Sequence, residues 1–249
     1  MISPSATSPG LTDLNDKGYF FRTAPSDARG GQVLADITKD RKVKTIAVTH
    51  TNNDYGKGLA DVYVAAVKAH GINVTAVTAH EEGKGDYGAE VATLASAGGD
   101  ALAVLGYLDQ AGGMIIQGSL DSGSFDTFVL SDGMIGDSLT DRFGKDLNKS
   151  FGSLPGSTGK GAGKFAEVAK SGGIDSSGPY TGESYDAAAL ITLAMQAGGK
   201  ADRATIQANV MDVANAPGKK IYPGELGKAL DLLAKGKACL LYTSDAADE

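Results

Sequence analysis

Short apolar runs that alternate with amphipathic stretches across residues 45–130 constrain the fold of this 249-residue chain more than any other feature. Each run ends in a polar loop, and the stretch after it repeats apolar residues at helical spacing. Strands that alternate with helices of about 10 to 15 residues predict βαβ units, and hence an α/β fold with a parallel, doubly wound sheet. The predicted strands are 45–49, 72–77, 101–105 and 128–130, with helices around 87–97 and 111–120 and another that ends before Gly71.

The pattern changes beyond Asp132. Residues 151–163 are rich in Gly, Ser and Pro and predict a loop or crossover, and four helical patterns follow with few strands between them. An apolar helix face must be buried against another element, so we expect strands of this region to lie outside the chain. The helical patterns contain Phe165 and Val168; Tyr185, Ala189 and Leu193; Ile206, Val210 and Val213; and Leu226, Leu230 and Leu233.

The composition indicates a globular protein that does not bind nucleic acid. Hydrophobic residues make up 42% of the chain and charged residues 21%, which excludes an extended disordered chain. The net charge of −7 argues against a nucleic-acid partner, which requires a basic surface. No apolar run approaches the roughly 20 residues that cross a bilayer. Residues 1–4 contain no secretory signal, and we expect one upstream of Met1.

The C-terminal segment, residues 239–249, is predicted to lie outside the fold. It lacks periodicity, and one back-translation of it resembles the transposase adapter used in sequencing libraries. We interpret it as adapter read-through, which is excluded from fold reasoning. Because the single cysteine, Cys239, lies in this segment, the cysteine content carries no information on the redox compartment.

Two tyrosines and a carboxylate follow the predicted strands. Tyr55 comes after strand 45–49, Tyr107 after strand 101–105 and Asp132 after strand 128–130. Ligands of open α/β sheets bind beyond the carboxyl ends of the strands, so these side chains are candidates for a binding site. The alternative for Asp132 and the glycine after it is a simple turn.

The candidate residues have the chemistry that a zwitterion requires. A ligand carboxylate needs hydroxyl groups and uncommitted N–H donors, which Ser5, Ala6 and Thr7 can supply. A ligand ammonium group needs a carboxylate, which Asp132 can supply. The two tyrosines would form the wall for a small apolar side chain.

Six motifs resemble signatures of the branched-chain amino acid binding family, a group of type I periplasmic binding proteins, in family order and spacing over residues 1–238. The motifs are ISPSATSP at 2–9, FFRTAPS at 20–26, NDYGKGLA at 53–60, GY at 106–107, DG at 132–133 and SYDAA at 184–188. The resemblance implies two α/β lobes joined by crossover strands, which close over the ligand. It places residues 1–26 and 157–238 in a partial N-terminal lobe and residues 27–156 in the C-terminal lobe. The chain is then expected to be truncated at both ends.

The resemblance also implies roles for the candidate residues. The Ser-Ala-Thr stretch would bind the ligand carboxylate, and the two tyrosines would line the pocket. Asp132 stands where better-known members of the family have Glu, which leaves the preferred amino acid open. Glu183 lies near a pocket-lining position of the family, although an acidic residue in the first turn of a helix also stabilises the helix dipole.

The function implied by the resemblance is that of a periplasmic substrate-binding protein of an ABC importer. It would bind a branched-chain or related amino acid as a monomer, without a cofactor, and deliver it to a membrane permease. A ligand-sensing domain of a regulator or receptor with the same fold is the alternative.

An α/β enzyme is the less favoured alternative. The three histidines, His50, His70 and His80, lack the spacing of a helical metal pair, and we predict structural or surface roles for them. The nearest match to a hydrolase elbow, at 182–186, lacks its closing glycine. We therefore predict neither catalytic residues nor a metal site.

Overall fold

The structure, a computed structural model, describes residues 1–215 and 217–241. The strands are β1 (Ile2–Ser3), β2 (Phe21–Arg22), β3 (Thr45–Thr51), β4 (Asn73–His80), β5 (Ala101–Leu105), β6 (Phe128–Leu130), β7 (Phe151–Gly152), β8 (Lys219–Ile221) and β9 (Cys239–Leu241). The helices are α1 (Asp27–Asp40), α2 (Asp54–Ala69), α3 (Gly88–Ala97), α4 (Gly113–Asp121), α5 (Asp137–Phe143), α6 (Gly159–Ser171), α7 (Thr181–Gly198), α8 (Arg203–Ala214) and α9 (Leu226–Ala234).

The chain divides into two compact units, which we name by their content. The sheet unit comprises Thr7–Leu14 and Pro25–Pro155, and the helical unit comprises Met1–Ala6, Asn15–Ala24 and Gly156–Glu249. Residues 7–14, which the predicted lobe division groups with the N-terminal lobe, cluster with the sheet unit. The division into two family lobes itself stays a prediction.

The sheet unit contains the predicted parallel, doubly wound sheet. Its five strands run parallel in the order β4-β3-β5-β6-β7. All residues of β5 are buried, with Leu102 and Val104 in an apolar cluster with α3 and α4, and Ala103 and Leu105 in a second cluster with α1 and α2. Helices on both faces explain why the central strands read as continuous apolar runs.

Side-chain caps fix where the first two helices of the sheet unit begin. Ser26 Oγ accepts a hydrogen bond from the Ala28 amide at 3.2 Å and caps α1. Asn53 caps α2 in the same way through the Gly56 amide. At the other end of α2, His70 Nε2 lies 2.7 Å from Asp36 Oδ1.

Two elements of the sheet unit were absent from the sequence prediction. Phe151 and Gly152 form β7, in a stretch predicted to be a loop or crossover, and α5 follows β6. A two-residue strand is too short to show periodicity. A side chain at position 152 would place its Cβ 2.5 Å from the Leu130 carbonyl oxygen, so glycine permits the pairing.

The helical unit holds α6–α9 and two short parallel strand pairs, β1 with β2 and β8 with β9. Its core contains Leu193, Val210 and Ile221. Within the described residues its strands are two or three residues long. No helix of the described residues is both long and apolar enough to span a membrane.

The prediction that residues 239–249 lie outside the fold is wrong for their first part. Cys239–Leu241 form β9, and Cys239 is buried in the core of the helical unit. These residues are buried because they pair with β8, and burial through strand pairing does not require a periodic sequence pattern. Residues 242–249 lie outside the described residues, and the adapter origin of the segment stays a prediction.

Candidate ligand-binding site

Three predicted site residues meet at one edge of the sheet unit. Tyr55 lies in the first turn of α2 after β3, Tyr107 follows β5, and Asp132 follows β6. These strands are parallel neighbours, so their carboxyl ends open on the same rim. The structure therefore brings together side chains that are far apart in sequence.

Tyr55 is held by the turn in which it lies. Asn53 Oδ1 accepts from the Gly56 amide at 2.9 Å, which fixes the start of α2 on either side of Tyr55. A Cβ atom at position 56 would lie 2.3 Å from the Thr51 carbonyl oxygen, so only glycine fits. The close approach packs the turn against the end of β3.

Tyr55 and Asp132 form the shortest contact of the site. Tyr55 Oη donates to Asp132 Oδ1 at 2.6 Å and lies 3.1 Å from Ser131 Oγ. Burial raises the pKa of the Tyr55 phenol, and the Asp132 carboxylate raises it further. The phenol therefore stays a hydrogen-bond donor to Asp132 at the rim.

The two tyrosine rings form one wall. The Tyr55 and Tyr107 rings stack with their centroids 5.4 Å apart and their planes 28° apart. Asn53 Nδ2 donates to Tyr107 Oη at 3.4 Å, a long hydrogen bond from the cap of α2. This arrangement gives an apolar surface directly beside a carboxylate.

Gly133 completes the wall, although the sequence analysis noted it only as part of a motif and not as a site residue. Its amide donates to Tyr55 Oη at 3.4 Å. A Cβ atom there would lie 2.4 Å from the Gly106 carbonyl oxygen and 3.2 Å from both Tyr107 Cδ1 and Tyr55 Oη. Residues 132–134 also form the turn that was the alternative for Asp132, so the turn and the site are the same feature.

Thr7 belongs to the same unit as this rim. Its carbonyl oxygen accepts from the Asp27 amide at 2.8 Å, and Ser8 Oγ donates to the Asp54 carbonyl at 3.2 Å. The segment is thereby attached to the N-terminal ends of α1 and α2. Within the described part of the chain, neither the hydroxyl nor the amide of Thr7 has a hydrogen-bond partner.

A second carboxylate lies near the first. Asp27, buried at the start of α1, lines a small cavity together with Ser131 and Asp132. Its charge also contributes to the raised pKa of Tyr55. Two acidic side chains around one phenol make this part of the rim suitable for a cation. Asn53, Ser131 and Asp27 were not identified as site residues from the sequence, where they were only polar residues near strand or helix ends.

Ser5 and Ala6 belong to the helical unit. Their amides were predicted to be free to bind a ligand, and that prediction is wrong. Both donate to Ser3 Oγ, at 3.4 and 3.1 Å. The Ala6 carbonyl accepts from Arg22 Nη1 at 3.3 Å. Serine side chains often accept hydrogen bonds from backbone amides two or three residues away. Whether such a bond forms depends on the local backbone geometry, which the sequence does not give.

Glu183 also belongs to the helical unit and lies in the first turn of α7. Its side chain is buried, and burial raises the pKa of its carboxyl group. Thr23 Oγ1 donates to the backbone carbonyl of Glu183 at 2.8 Å, which ties this turn to the end of β2. Stabilisation of the helix dipole does not require an acid to be buried, so Glu183 stays a candidate for lining the ligand pocket.

The described residues contain no group of three or more His, Cys, Asp or Glu side chains that could hold a metal ion. His50 Nδ1 lies 3.0 Å from the Thr51 carbonyl, and His70 pairs with Asp36. His80 is buried beneath the rim, at the end of β4.

Comparisons with known proteins agree with this architecture. The family described as "Receptor family ligand binding region" matches residues 1–101. The chain is 36% identical over 124 residues to Leu/Ile/Val-binding protein homolog 3 of Brucella melitensis, covering 49% of this chain and 33% of that protein. It is 28% identical over 207 residues to the leucine-, isoleucine-, valine-, threonine- and alanine-binding protein of Pseudomonas aeruginosa, covering 81% of this chain and 54% of that protein.

Solved structures share the fold. A leucine-binding protein of Thermotoga maritima superposes with a TM-score of 0.73 at 21% identity, covering 86% of this chain and 62% of that one. A type 1 periplasmic binding protein of Bordetella pertussis gives 0.73 at 19% identity, covering 87% and 64%. The isoleucine complex of a branched-chain amino acid substrate-binding protein of Streptococcus pneumoniae gives 0.70 at 21% identity, covering 86% and 62%.

The chain spans between a third and about half of the length of these two curated relatives, and under two thirds of the three solved chains. The similarity extends over both units. The chain is therefore similar to type I periplasmic binding proteins, in fold over most of its length and in sequence over part of it.

Proposed function

We propose that this chain is part of a periplasmic substrate-binding protein of an ABC importer, which binds a branched-chain or related amino acid and delivers it to a membrane permease. The observation that carries the proposal is the contact of Tyr55 with Asp132 beside the Tyr107 ring. It combines a fixed carboxylate with an aromatic wall, which is the environment that an apolar α-amino acid requires. The names of the relatives agree with that ligand class.

In this proposal Asp132 pairs with the ligand ammonium group. Tyr55 holds the carboxylate in place by donating to one of its oxygens, and Asp27 adds negative charge nearby. A charge-assisted hydrogen bond between ammonium and carboxylate is among the strong polar contacts of proteins. The apolar ligand side chain would pack on the Tyr55 and Tyr107 rings.

The ligand carboxylate is assigned to the N-terminal segment. Thr7 supports this assignment best, because its hydroxyl and amide have no partner among the described residues. Ser5 and Ala6 follow from the family resemblance, and their amides would have to exchange Ser3 Oγ for the ligand. Glu183 is proposed as a second pocket-lining acid.

The proposed protein performs no chemistry and uses no cofactor. Closure of its lobes around one amino acid would be stabilised by the contacts that the ligand makes only in the closed state. A permease would then recognise that closed state in a monomeric binding protein.

A ligand-sensing receptor domain is the second candidate, favoured by the match of residues 1–101 to a receptor ligand-binding family. It would use the same site, so ligand binding does not separate the two functions. Genes for a permease and an ATPase beside this one support transport. A signalling or DNA-binding segment in the same polypeptide supports sensing.

Calorimetric titration of the complete polypeptide with leucine and two blocked analogues tests the binding proposal. Leucine is expected to bind saturably. N-acetyl-leucine lacks the ammonium group and should bind far more weakly, because the Asp132 carboxylate is left unpaired. Leucinamide lacks the carboxylate and should also bind more weakly, because the hydroxyl and amide donors of the N-terminal segment lose a charged acceptor. Equal binding of leucine and N-acetyl-leucine would contradict the role of Asp132.

A further inference from the structure

His80 is a buried titratable residue directly behind the site. Its side chain is 0% exposed at the end of β4, and Nδ1 lies 2.8 Å from Thr49 Oγ1. A Cβ atom at Gly106 would lie 3.1 Å from His80 Nε2, so the imidazole packs against the residue that precedes Tyr107. The site as described makes no use of this imidazole.

Glu82 connects His80 to the segment that follows Tyr107. Glu82 Oε1 lies 3.7 Å from His80 Nε2, within ion-pair range but beyond hydrogen-bond range. In the described structure both atoms are buried, and neither has a hydrogen-bond partner. The other oxygen, Glu82 Oε2, accepts from the Ala111 amide at 2.8 Å.

The segment that Glu82 holds is irregular. Residues Leu108–Gly112 form a π-helical turn, and Gln110 lies outside helical geometry at φ −124° and ψ −138°. Its closing bond runs from the Gly112 amide to the Tyr107 carbonyl at 3.1 Å. The irregular turn that begins at Tyr107 is therefore also held by a side chain from another loop, Glu82.

We propose that Glu82 and His80 are positioning residues for the Tyr107 wall, and that proton uptake by His80 weakens ligand binding through Glu82. The inference rests on the proposed function, since it assigns Tyr107 to the ligand pocket. A protonated imidazole attracts the Glu82 carboxylate. Closing the gap of 3.7 Å to a hydrogen bond requires the Glu82 carboxylate to shift by roughly 1 Å, which would disturb the bond of its other oxygen to the Ala111 amide.

The surroundings of His80 are consistent with such a response. Burial lowers the pKa of the imidazole, and the charge of Glu82 acts in the opposite direction. The imidazole is therefore neutral near pH 7 and takes up its proton at a lower pH than an ordinary histidine. The other titratable groups that act on the imidazole are His50 on β3, Glu90 on α3 and Glu81. Glu90 is itself paired with Lys84. The acidic residue of the π-helical turn, Asp109, accepts a hydrogen bond from Ser138.

An NMR titration without ligand tests the coupling itself. The Ala111 amide shift should follow the titration of the His80 imidazole with the same midpoint. In Glu82→Gln, which keeps an acceptor for Ala111 but has no charge, the Ala111 shift should no longer follow His80. An Ala111 amide that is indifferent to the His80 titration in the unmutated protein overturns the inference, whether or not leucine binds.

Leucine titrations at pH 7.5 and at a pH below the His80 midpoint test the consequence for binding. At pH 7.5, Glu82→Ala should weaken binding roughly tenfold or more, because the Ala111 amide loses a charged acceptor. Glu82→Gln should keep most of the affinity and lose the pH dependence, whereas the exposed control Asp61→Asn should retain it. Unchanged binding by Glu82→Ala overturns the inference. A failure of the unmutated protein to bind leucine at either pH overturns the proposed function instead.

Discussion

At the scale of single residues, the site is defined by polar groups that are buried next to one another. The Tyr55 phenol bonds to Asp132, and a second acid, Asp27, acts on the same phenol. Buried acids cost free energy unless they are hydrogen-bonded or paired, which makes this cluster a candidate for binding a cationic group. The same reasoning applies to His80 behind the rim.

Burial of His80 should make stability depend on pH in a defined window. The unfolded imidazole takes up a proton near its ordinary pKa of about 6.5, whereas the folded one does so only at a lower pH. Between these two pH values the unfolded state binds more protons, so stability falls as the pH drops and levels off below the folded pKa. Each unit of pKa lowering corresponds to about 1.4 kcal/mol.

Urea unfolding at a series of pH values between 7.5 and 5 measures this loss of stability. His80→Gln should remove most of the slope, since no other buried imidazole was found among the described residues. A slope that persists unchanged in His80→Gln would show that another group causes it.

At the scale of elements, the sequence predicted the rim but not the contacts across it. Continuous apolar runs identify β3, β5 and β6, and parallel strands bring their carboxyl ends together. The 2.6 Å contact between Tyr55 and Asp132 depends on side-chain geometry across two loops, which no local pattern records. The two-residue strand β7 and the helix α5 were missed because they are too short for periodicity.

The C-terminal and N-terminal segments were mispredicted for a related reason. Cys239 is buried because β8 lies beside it, and the amides of Ser5 and Ala6 are taken by Ser3 Oγ. Both outcomes depend on neighbours in space or on local turn geometry. Composition and periodicity describe neither.

The close packing of the turn after β6 can be tested by Gly133→Ala. The added Cβ atom would lie 2.4 Å from the Gly106 carbonyl oxygen, so the turn with Asp132 must move. We expect a stability loss of about 1–3 kcal/mol, the usual cost of overpacking, together with weaker leucine binding.

The matched control is Gly136→Ala, in the same loop. Its backbone is extended at φ −179°, and nothing lies within 4 Å of the added Cβ atom. Denaturant unfolding of both variants measures the loss of stability, and calorimetric titration measures the change in leucine affinity. Similar results for the two would contradict the account of Gly133.

At the scale of the whole molecule, the two units differ in how their backbones are paired. The sheet unit has five parallel strands between two apolar clusters, whereas the strand pairs of the helical unit are two or three residues long. Buried and fully paired backbone is the most protected from local opening. The difference indicates unequal local stability within one chain.

Hydrogen exchange followed by mass spectrometry checks this difference. The amides of β3 and β5, which are central and buried, should exchange most slowly, and those of β1, β2, β8 and β9 markedly faster. Equal protection of β5 and β8 would show that the two units open together.

Asp132 is the residue on which the proposed function depends most, and its removal tests that function most directly. In calorimetric titrations of the complete polypeptide, Asp132→Ala should weaken leucine binding by roughly 2–5 kcal/mol, because the ammonium group is left buried without its partner. The exposed control Asp61→Ala, on α2, should bind as the unmutated protein does. Leucine binding by Asp132→Ala with near-unchanged affinity would remove Asp132 from the site and contradict the assignment of this rim to an amino acid.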